Sequence, residues 1–140
     1  MIAIGSDHLG YELKEEVKNY FELNKIPFMD FGTSSKESVD YPIYAKKVCT
    51  SIQTGDCKYG ILICGTGTGM AIAANKIKGI RAACCSDTYT AKMARLHNNA
   101  QILTMGSRVT GSGVAIDIIK IFLATDFEGG RHIERVNMLN

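Results

Sequence analysis

Five short apolar runs, separated by segments with helical periodicity, constrain the fold of this chain more than any other sequence feature. The runs comprise residues 2–5, 28–31, 61–64, 80–85 and 102–105. Each is hardly interrupted by polar residues, which is typical of strands that are buried on both faces of a parallel sheet. Parallel neighbours need long crossover connections, usually helices, so this alternation predicts an α/β fold.

The intervening segments favour helices that pack on the sheet. Three of them repeat apolar residues at helical spacing, and segment 68–78 is rich in small residues that suit close packing. The three stripes are Leu9, Leu13, Val17 and Tyr20; Tyr44, Val48 and Ile52; and Val114, Ile118, Ile121 and Phe122. Asp87 or Ser86 is expected to cap a further helix that ends near Leu96.

Together these elements predict one domain over residues 1–140, a single-domain αβα sandwich. Its five-stranded parallel sheet is expected to be doubly wound and Rossmann-like, with strand order 2-1-3-4-5. Residues 126–140 follow the last core helix as a polar tail.

Composition limits the kind of partner. The 140 residues include 16 Lys and Arg against 14 Asp and Glu, a formal charge of +2, which is too small for sequence-independent nucleic-acid binding. No apolar run approaches the roughly 18 residues of a membrane helix. The five cysteines are an odd number without a Cys-x-x-Cys pair, which supports neither a disulfide framework nor a zinc site. We therefore expect a cytoplasmic protein that binds neither nucleic acid nor membrane.

The third apolar run ends in Cys64 and is followed by the glycine-rich loop 65–69 and a helix. In doubly wound sheets, ligands bind beyond the carboxyl ends of the strands, here between the first and third strands. Backbone N–H groups at a helix start attract anions and favour an ionised thiol. Cys64 is therefore a candidate base or nucleophile beside an anion site, and the alternative is an inert buried thiol.

This loop matches neither of two common nucleotide-binding motifs. A phosphate-binding P-loop needs Lys and Ser or Thr after its last glycine, but Gly69 is followed by Met70 and Ala71. The spacing of the dinucleotide fingerprint also fails, and the loop follows the third strand instead of the first. Asp87, about 20 residues farther on, keeps an NAD-dependent oxidoreductase or a non-catalytic nucleotide-binding module open as alternatives.

Two histidines are candidates for the same chemistry. His8 follows Asp7 at the end of the first strand and points to the ligand crevice, unless it is a surface residue on a turn. His97 closes the helix that begins near Asp87, where its alternative role is a cation at the helix C-terminus. The histidines do not have metal-ligand spacing and no carboxylate cluster accompanies them, so no metal site is expected.

Arginines supply candidates for anion binding. Arg131 and Arg135 are spaced i, i+4, and two like charges at that spacing repel unless an anion lies between them. Arginine also binds phosphate bidentately. Arg108, just past the fifth strand, is a third candidate, and the alternative for the pair is a solvated basic tail.

Seven segments together resemble the ribose-5-phosphate isomerase B family, which also contains the galactose-6-phosphate isomerase subunits. They are Gly5-Ser6-Asp7-His8, Asp40-Tyr41-Pro42, Ile63-Cys64-Gly65-Thr66-Gly67-Thr68-Gly69, Ala73-Ala74-Asn75-Lys76, His97-Asn98, Gly106-Ser107-Arg108 and Glu128-Gly129-Gly130-Arg131-His132. The resemblance runs in order and nearly without gaps from residue 1 to about 136. Each segment alone is weak, and the set is highly specific.

The resemblance implies an isomerase that needs neither metal nor cofactor. It would interconvert D-ribose 5-phosphate and D-ribulose 5-phosphate through a cis-enediol, in the non-oxidative branch of the pentose phosphate pathway. By this likeness Cys64 is the general base and His97, with Asp7 nearby, opens the sugar ring. Thr66 and the amides of the loop residues stabilise the enediolate; those residues are Gly65, Thr66, Gly67, Thr68 and Gly69.

The resemblance also assigns substrate contacts and an oligomeric state. His8, Arg108, Arg131 and Arg135 would hold the phosphate, and Asn98 and Tyr41 would contact the sugar. Members of the family are dimers or tetramers whose site combines the Cys loop of one subunit with the His97 helix and arginine tail of another. This fits a tail with too little apolar content to pack on its own domain. Whether a five-carbon or a six-carbon sugar phosphate is preferred stays open.

Overall fold

A five-stranded, all-parallel sheet forms the centre of the computed structural model, which describes residues 1–140. The strands are β1 (Ile2–Ser6), β2 (Phe28–Asp30), β3 (Tyr59–Cys64), β4 (Ala82–Cys84) and β5 (Ile102–Gly106). The helices are α1 (Tyr11–Leu23), α2 (Tyr41–Gln53), α3 (Thr68–Asn75), α4 (Thr88–Leu96), α5 (Ser112–Ala124) and α6 (His132–Asn137). The predicted single-domain α/β fold is confirmed. None of the helices combines the length and apolar character needed to cross a bilayer.

The order of the strands differs from the prediction at one end of the sheet. The observed order is β2-β1-β3-β5-β4, so the expected order 2-1-3-4-5 is wrong for its last two strands. All five residues of β5 are buried, whereas β4 has three residues, none of them buried, and follows the charged Arg81. A short, partly polar strand is stable at the edge of a sheet, so the apolar strand takes the inner position beside β3.

The helices cover the sheet on both faces. One face packs against α1, α4 and α5, and the other against α2 and α3. Successive strand residues point to opposite faces, so Ile61 and Ile63 join the first core while Leu62 and Cys64 join the second. Apolar contacts on both faces explain why the strand sequences read as unbroken apolar runs.

The apolar stripe of α1 illustrates how well helical spacing predicts burial. Leu13 and Val17 are buried as expected. Phe21, and not the predicted Tyr20, is the next fully buried residue, and Leu9 precedes the helix and is 38% exposed. The predicted cap of α4 is confirmed, because the Asp87 carboxylate accepts a hydrogen bond from the Thr90 N–H at 2.7 Å.

Candidate active site

The residues that the sequence assigned to the site fall into two groups at opposite edges of the sheet. The carboxyl-edge group follows the ends of β1, β3 and β5 or begins α2, and contains Asp7, His8, Tyr41, the 64–69 segment and Arg108. The amino-edge group contains His97, Asn98, Arg131 and Arg135. His97 ends α4, which returns from the carboxyl edge to the edge where β5 begins. Five-residue β5 alone spans about 17 Å, so one chain does not bring the groups together.

Cys64 is held under the start of α3. The thiol is 5% exposed and its Sγ accepts a hydrogen bond from the Gly67 N–H at 3.2 Å. Gly67 is the N-cap of the eight-residue helix α3, so the sulfur lies at the positive end of the helix. A helix start and a backbone N–H donor are the two features from which the sequence analysis derived a candidate base at Cys64.

The other four thiols have different surroundings. Burial raises the pKa of Cys49 to about 12 and that of Cys85 to about 11, so both stay protonated at neutral pH. Cys84 is exposed and its Sγ lies 3.7 Å from the Thr66 carbonyl oxygen. Cys64 is the only cysteine that accepts a hydrogen bond from a backbone N–H.

Two glycines allow the 65–69 loop to lie directly on the sheet. Gly67 has φ of +84°, a left-handed conformation that favours glycine. At Gly106, the end of β5, a Cβ atom would lie 2.6 Å from the Thr66 backbone. The loop is also tied to β5 because the backbone N–H groups of Ser107 and Arg108 donate to the carbonyls of Cys64 and Gly65 at 2.9 and 3.1 Å.

The remaining carboxyl-edge residues surround this loop. The Tyr41 ring lies so close to Gly69 that a Cβ there would come within 2.9 Å of it. Asp7 is 5% exposed and accepts a hydrogen bond from the Gly10 N–H at 3.0 Å. The Nδ1 of His8 accepts from the Val39 N–H at 3.2 Å, so neutral His8 carries its proton on Nε2. His8 lies in the turn 8–10, where it is half-buried and its ring is held by this hydrogen bond.

The amino-edge group contains two residues that the sequence analysis did not pair with His97. The rings of His97 and His132 stack with centroids 4.3 Å apart and planes inclined by 14°. The Glu128 Oε2 lies 3.6 Å from the Nε2 of His97 and 4.0 Å from that of His132. The sequence predicted no carboxylate cluster beside the histidines, and the structure places a single carboxylate, Glu128, next to two of them. Glu128 and His132 are four residues apart, a helical spacing that was the available sequence signal.

The stacked histidines fit proton transfer better than a metal site. The three candidate ligand atoms lie within 4.8 Å of one another. However, a zinc ion lies in the plane of each imidazole at about 2.0 Å, and two nearly parallel stacked rings cannot both satisfy this without one of them turning. Burial lowers the pKa of His132, and the charges of His97, Arg131 and Arg135 act in the same direction. The same positive charges disfavour a bound cation.

The tail packs on its own domain more closely than predicted. His132 and Val136 of α6 are buried, and the Glu128 N–H donates to the Leu96 carbonyl at 3.0 Å. The expectation that this segment cannot dock on its own chain is therefore wrong, because one face of the six-residue helix α6 suffices. Arg131 and Arg135 remain exposed. The cavity of about 360 Å³ beside them is lined by His97, Asn98, His132, Arg135, Val136 and Leu139.

Comparisons with known proteins show which family this chain resembles over its length. The chain matches the family described as "Ribose/Galactose Isomerase" over residues 2–139. It is 45% identical to the ribose-5-phosphate isomerase B of Escherichia coli (strain K12), over 99% of this chain and 93% of that protein. It is 47% identical to a putative sugar phosphate isomerase of Bacillus subtilis (strain 168), over 99% and 94% of the two chains. The crystal structure of a ribose 5-phosphate isomerase from Thermotoga maritima superposes with a TM-score of 0.97 at 53% identity, covering 99% and 95% of the two chains.

Proposed function

Because this chain belongs to the ribose/galactose isomerase family and is an isomerase, we propose that it interconverts D-ribose 5-phosphate and D-ribulose 5-phosphate. The observation that carries the proposal is the Cys64 thiol, which accepts the Gly67 N–H at the start of α3. An aldose–ketose isomerase needs a base beside an anion-stabilising loop, and this loop supplies both. We assign the reaction to the non-oxidative branch of the pentose phosphate pathway.

Cys64 moves a proton between two carbons of the open-chain sugar. The thiolate removes the C2 proton of the aldose, and the electron pair forms the C1–C2 double bond of a cis-enediolate. The N–H groups of Gly67 and Thr68 donate to Cys64 Sγ and Thr66 Oγ1. The negative charge that develops on O1 is stabilised by the other backbone N–H groups of loop 65–69 and by the Thr66 hydroxyl, each donor contributing roughly 3 kcal/mol. Transfer of the O2 proton to O1 moves the negative charge to O2, and return of the proton from Cys64 to C1 then forms the C2 carbonyl of the ketose.

His97 opens the furanose ring before this step. Ring opening takes a proton from the O1 hydroxyl and delivers one to the ring oxygen, which suits an imidazole because one ring nitrogen can accept a proton while the other donates one. Glu128 and His132 contact His97 within its own chain. Asp7 lies at the other edge of the sheet, so its proposed partnership with His97 joins two copies of the chain.

The phosphate binds where two copies meet. His8 and Arg108 belong to the carboxyl edge of one copy, and Arg131 and Arg135 to the amino edge of the other. Neither Arg131 nor Arg135 forms an ion pair within its own chain, which leaves both side chains available to an anion. The active form is thus a homodimer or homotetramer, with Tyr41 and Asn98 contacting the sugar from different copies.

The nucleotide-binding alternatives depended on Asp87. Its carboxylate accepts hydrogen bonds from the N–H and the hydroxyl of Thr90 at 2.7 and 2.9 Å as the cap of α4. This capping role accounts for Asp87 without a ribose ligand.

All five cysteines are free, which supports our assignment of the enzyme to the reducing cytoplasm.

The purified protein is expected to interconvert ribose 5-phosphate and ribulose 5-phosphate at an unchanged rate in the presence of EDTA. The reason is that proton transfer by Cys64 needs no Lewis acid. The measurement is steady-state isomerisation before and after dialysis against the chelator, with allose 6-phosphate and galactose 6-phosphate assayed in parallel to define the preferred chain length. Activity that disappears on chelation and returns with a divalent ion would point to a metal-assisted hydride shift.

Replacing His97 with alanine is expected to lower kcat far more for a cyclic substrate than for an open-chain substrate. D-erythrose 4-phosphate is a suitable open-chain probe, since its O4 carries the phosphate and cannot close a furanose ring. We expect kcat to fall about a hundredfold with ribose 5-phosphate and less than about threefold with erythrose 4-phosphate. Lys92→Ala, on the exposed face of the same helix, is the matched control. Equal losses with both sugars would assign His97 to the proton transfer itself or to assembly.

A further inference from the structure

Arg95 is a buried arginine without a carboxylate partner. The residue is 4% exposed and takes part in none of the ion pairs of the structure. Its guanidinium instead donates to four acceptors and lies 4.7 Å from the centroid of the Tyr59 ring. The acceptors are the Thr125 carbonyl at 3.1 Å, the Asn99 Oδ1 at 3.0 Å, the Ala100 carbonyl at 2.8 Å and the Tyr59 hydroxyl at 3.0 Å.

Three of these acceptors belong to the segments that frame the amino-edge group, and the fourth, Tyr59, begins β3. Asn99 and Ala100 follow His97 and Asn98 directly, so the contacts of Arg95 enclose the loop that presents both site residues. Asn99 has φ of +48°, the left-handed conformation that turns the chain back toward β5. Thr125 ends α5 and begins the segment that leads to Glu128, Arg131 and His132. One side chain thus connects the two segments whose histidine rings stack.

Packing alone does not account for this residue. A buried cation without a counter-ion carries a desolvation cost that an apolar side chain of the same size avoids. Lysine would also offer its donors from a single point, whereas the planar guanidinium reaches acceptors on several sides. Arginine can donate hydrogen bonds to the loop after α4 and to the end of α5 at the same time, and this fixes the distance between the two segments.

From this arrangement, and resting on the proposed function, we infer that Arg95 is a positioning residue for ring opening. It holds His97 and Asn98 in register with the segment that carries His132, Arg131 and Arg135. Ring opening requires the imidazole and the phosphate-binding arginines to engage one sugar phosphate at the same time. Loss of the guanidinium leaves both segments folded but lets their separation vary.

The test is Arg95→Lys, which keeps the charge and loses the planar set of donors. We expect kcat/KM for ribose 5-phosphate to fall at least about tenfold, and that for open-chain erythrose 4-phosphate to fall less than about threefold. Ile118→Val is the matched control, because it loosens the same buried cluster without removing any hydrogen bond of Arg95, and it should affect both sugars equally. If Arg95→Lys does not fold, Asn99→Gly removes one acceptor while tolerating the positive φ and should show the same preference.

A second readout separates positioning from general destabilisation. Mixed with Cys64→Ala, Arg95→Lys should recover activity, since its defect lies in the other half of the shared site. Mixed with His97→Ala it should recover none. Two outcomes would overturn the positioning role while leaving the proposed function intact, provided that the wild-type protein isomerises ribose 5-phosphate. One is an equal loss of kcat/KM on both sugars in Arg95→Lys. The other is recovery of activity when Arg95→Lys is mixed with His97→Ala as well as with Cys64→Ala. A wild-type protein inactive on every sugar phosphate tested would overturn the proposed function and this role with it.

Discussion

Cys64→Ala is expected to lower kcat for ribose 5-phosphate about a thousandfold while leaving phosphate affinity within about threefold of wild type. Cys64 is the only cysteine that combines burial at a helix start with a hydrogen bond from a backbone N–H. Its removal takes away the base but leaves the loop amides in place. The affinity is measured by calorimetry with inorganic phosphate and the turnover by a coupled isomerase assay.

A control cysteine distinguishes loss of the base from loss of packing. Cys49 is a fully buried residue of α2, and burial raises its pKa to about 12, so Cys49→Ala removes a thiol that takes no part in proton transfer. We expect this variant to lose some thermal stability and to keep most of its kcat. Retention of more than a few per cent of kcat by Cys64→Ala would show that another group is the base.

The layers of the fold were predictable because burial on both faces leaves a strong pattern in the sequence. Strands such as β3 and β5 contact helices on both sides and must be apolar along their length. The order of the strands across the sheet was not predictable in the same way, because the position of a strand among its neighbours affects its sequence only weakly. Arg81 was the available sequence signal, because a charged residue within run 80–85 is compatible with an edge strand but not with the inner position that β5 takes.

The site was partly predictable for a similar reason. The Cys64 loop is a continuous segment whose geometry follows from one strand end and one helix start, so local rules suffice. The cluster of His97, Glu128 and His132 joins segments about 30 residues apart, and its contacts arise from the return of the chain after α5. The four-residue spacing of Glu128 and His132 predicts that these two side chains are close, but it does not predict that they contact His97 at the end of α4.

The separation of the carboxyl-edge group from the amino-edge group follows from the topology of the parallel sheet. A helix that crosses from one parallel strand to the next runs antiparallel to the sheet, so its first and last residues lie at opposite edges. His97 ends such a helix, whereas Cys64 ends a strand. The distance between them is therefore set by the length of the strands, and a single site that contains both needs two copies of the chain.

Mixing two inactive variants is accordingly expected to restore about a quarter of wild-type turnover. The variants are Cys64→Ala and the double variant Arg131→Ala with Arg135→Ala. In a mixed dimer, one site inherits both defects and the other inherits neither. Random exchange of equal amounts makes half of the dimers mixed, and each has one intact site of two. The measurement is isomerase activity against time after mixing, with a tag on one variant to follow subunit exchange.

The companion mixture of Cys64→Ala with His8→Ala sharpens this expectation, because both changes lie at the carboxyl edge. In its mixed dimers, each site carries one of the two defects, so mixing should give no more activity than the parent variants. Cys64→Ala with His97→Ala should behave like the arginine mixture, since His97 belongs to the amino edge with Arg131 and Arg135. Recovery in the two cross-edge mixtures and none in the same-edge mixture would assign each residue to its half of the site. If tagged subunits exchange and no mixture recovers, base and phosphate clamp act within one chain, and the distance between the sheet edges would have to be closed by a rearrangement of α4 and the tail.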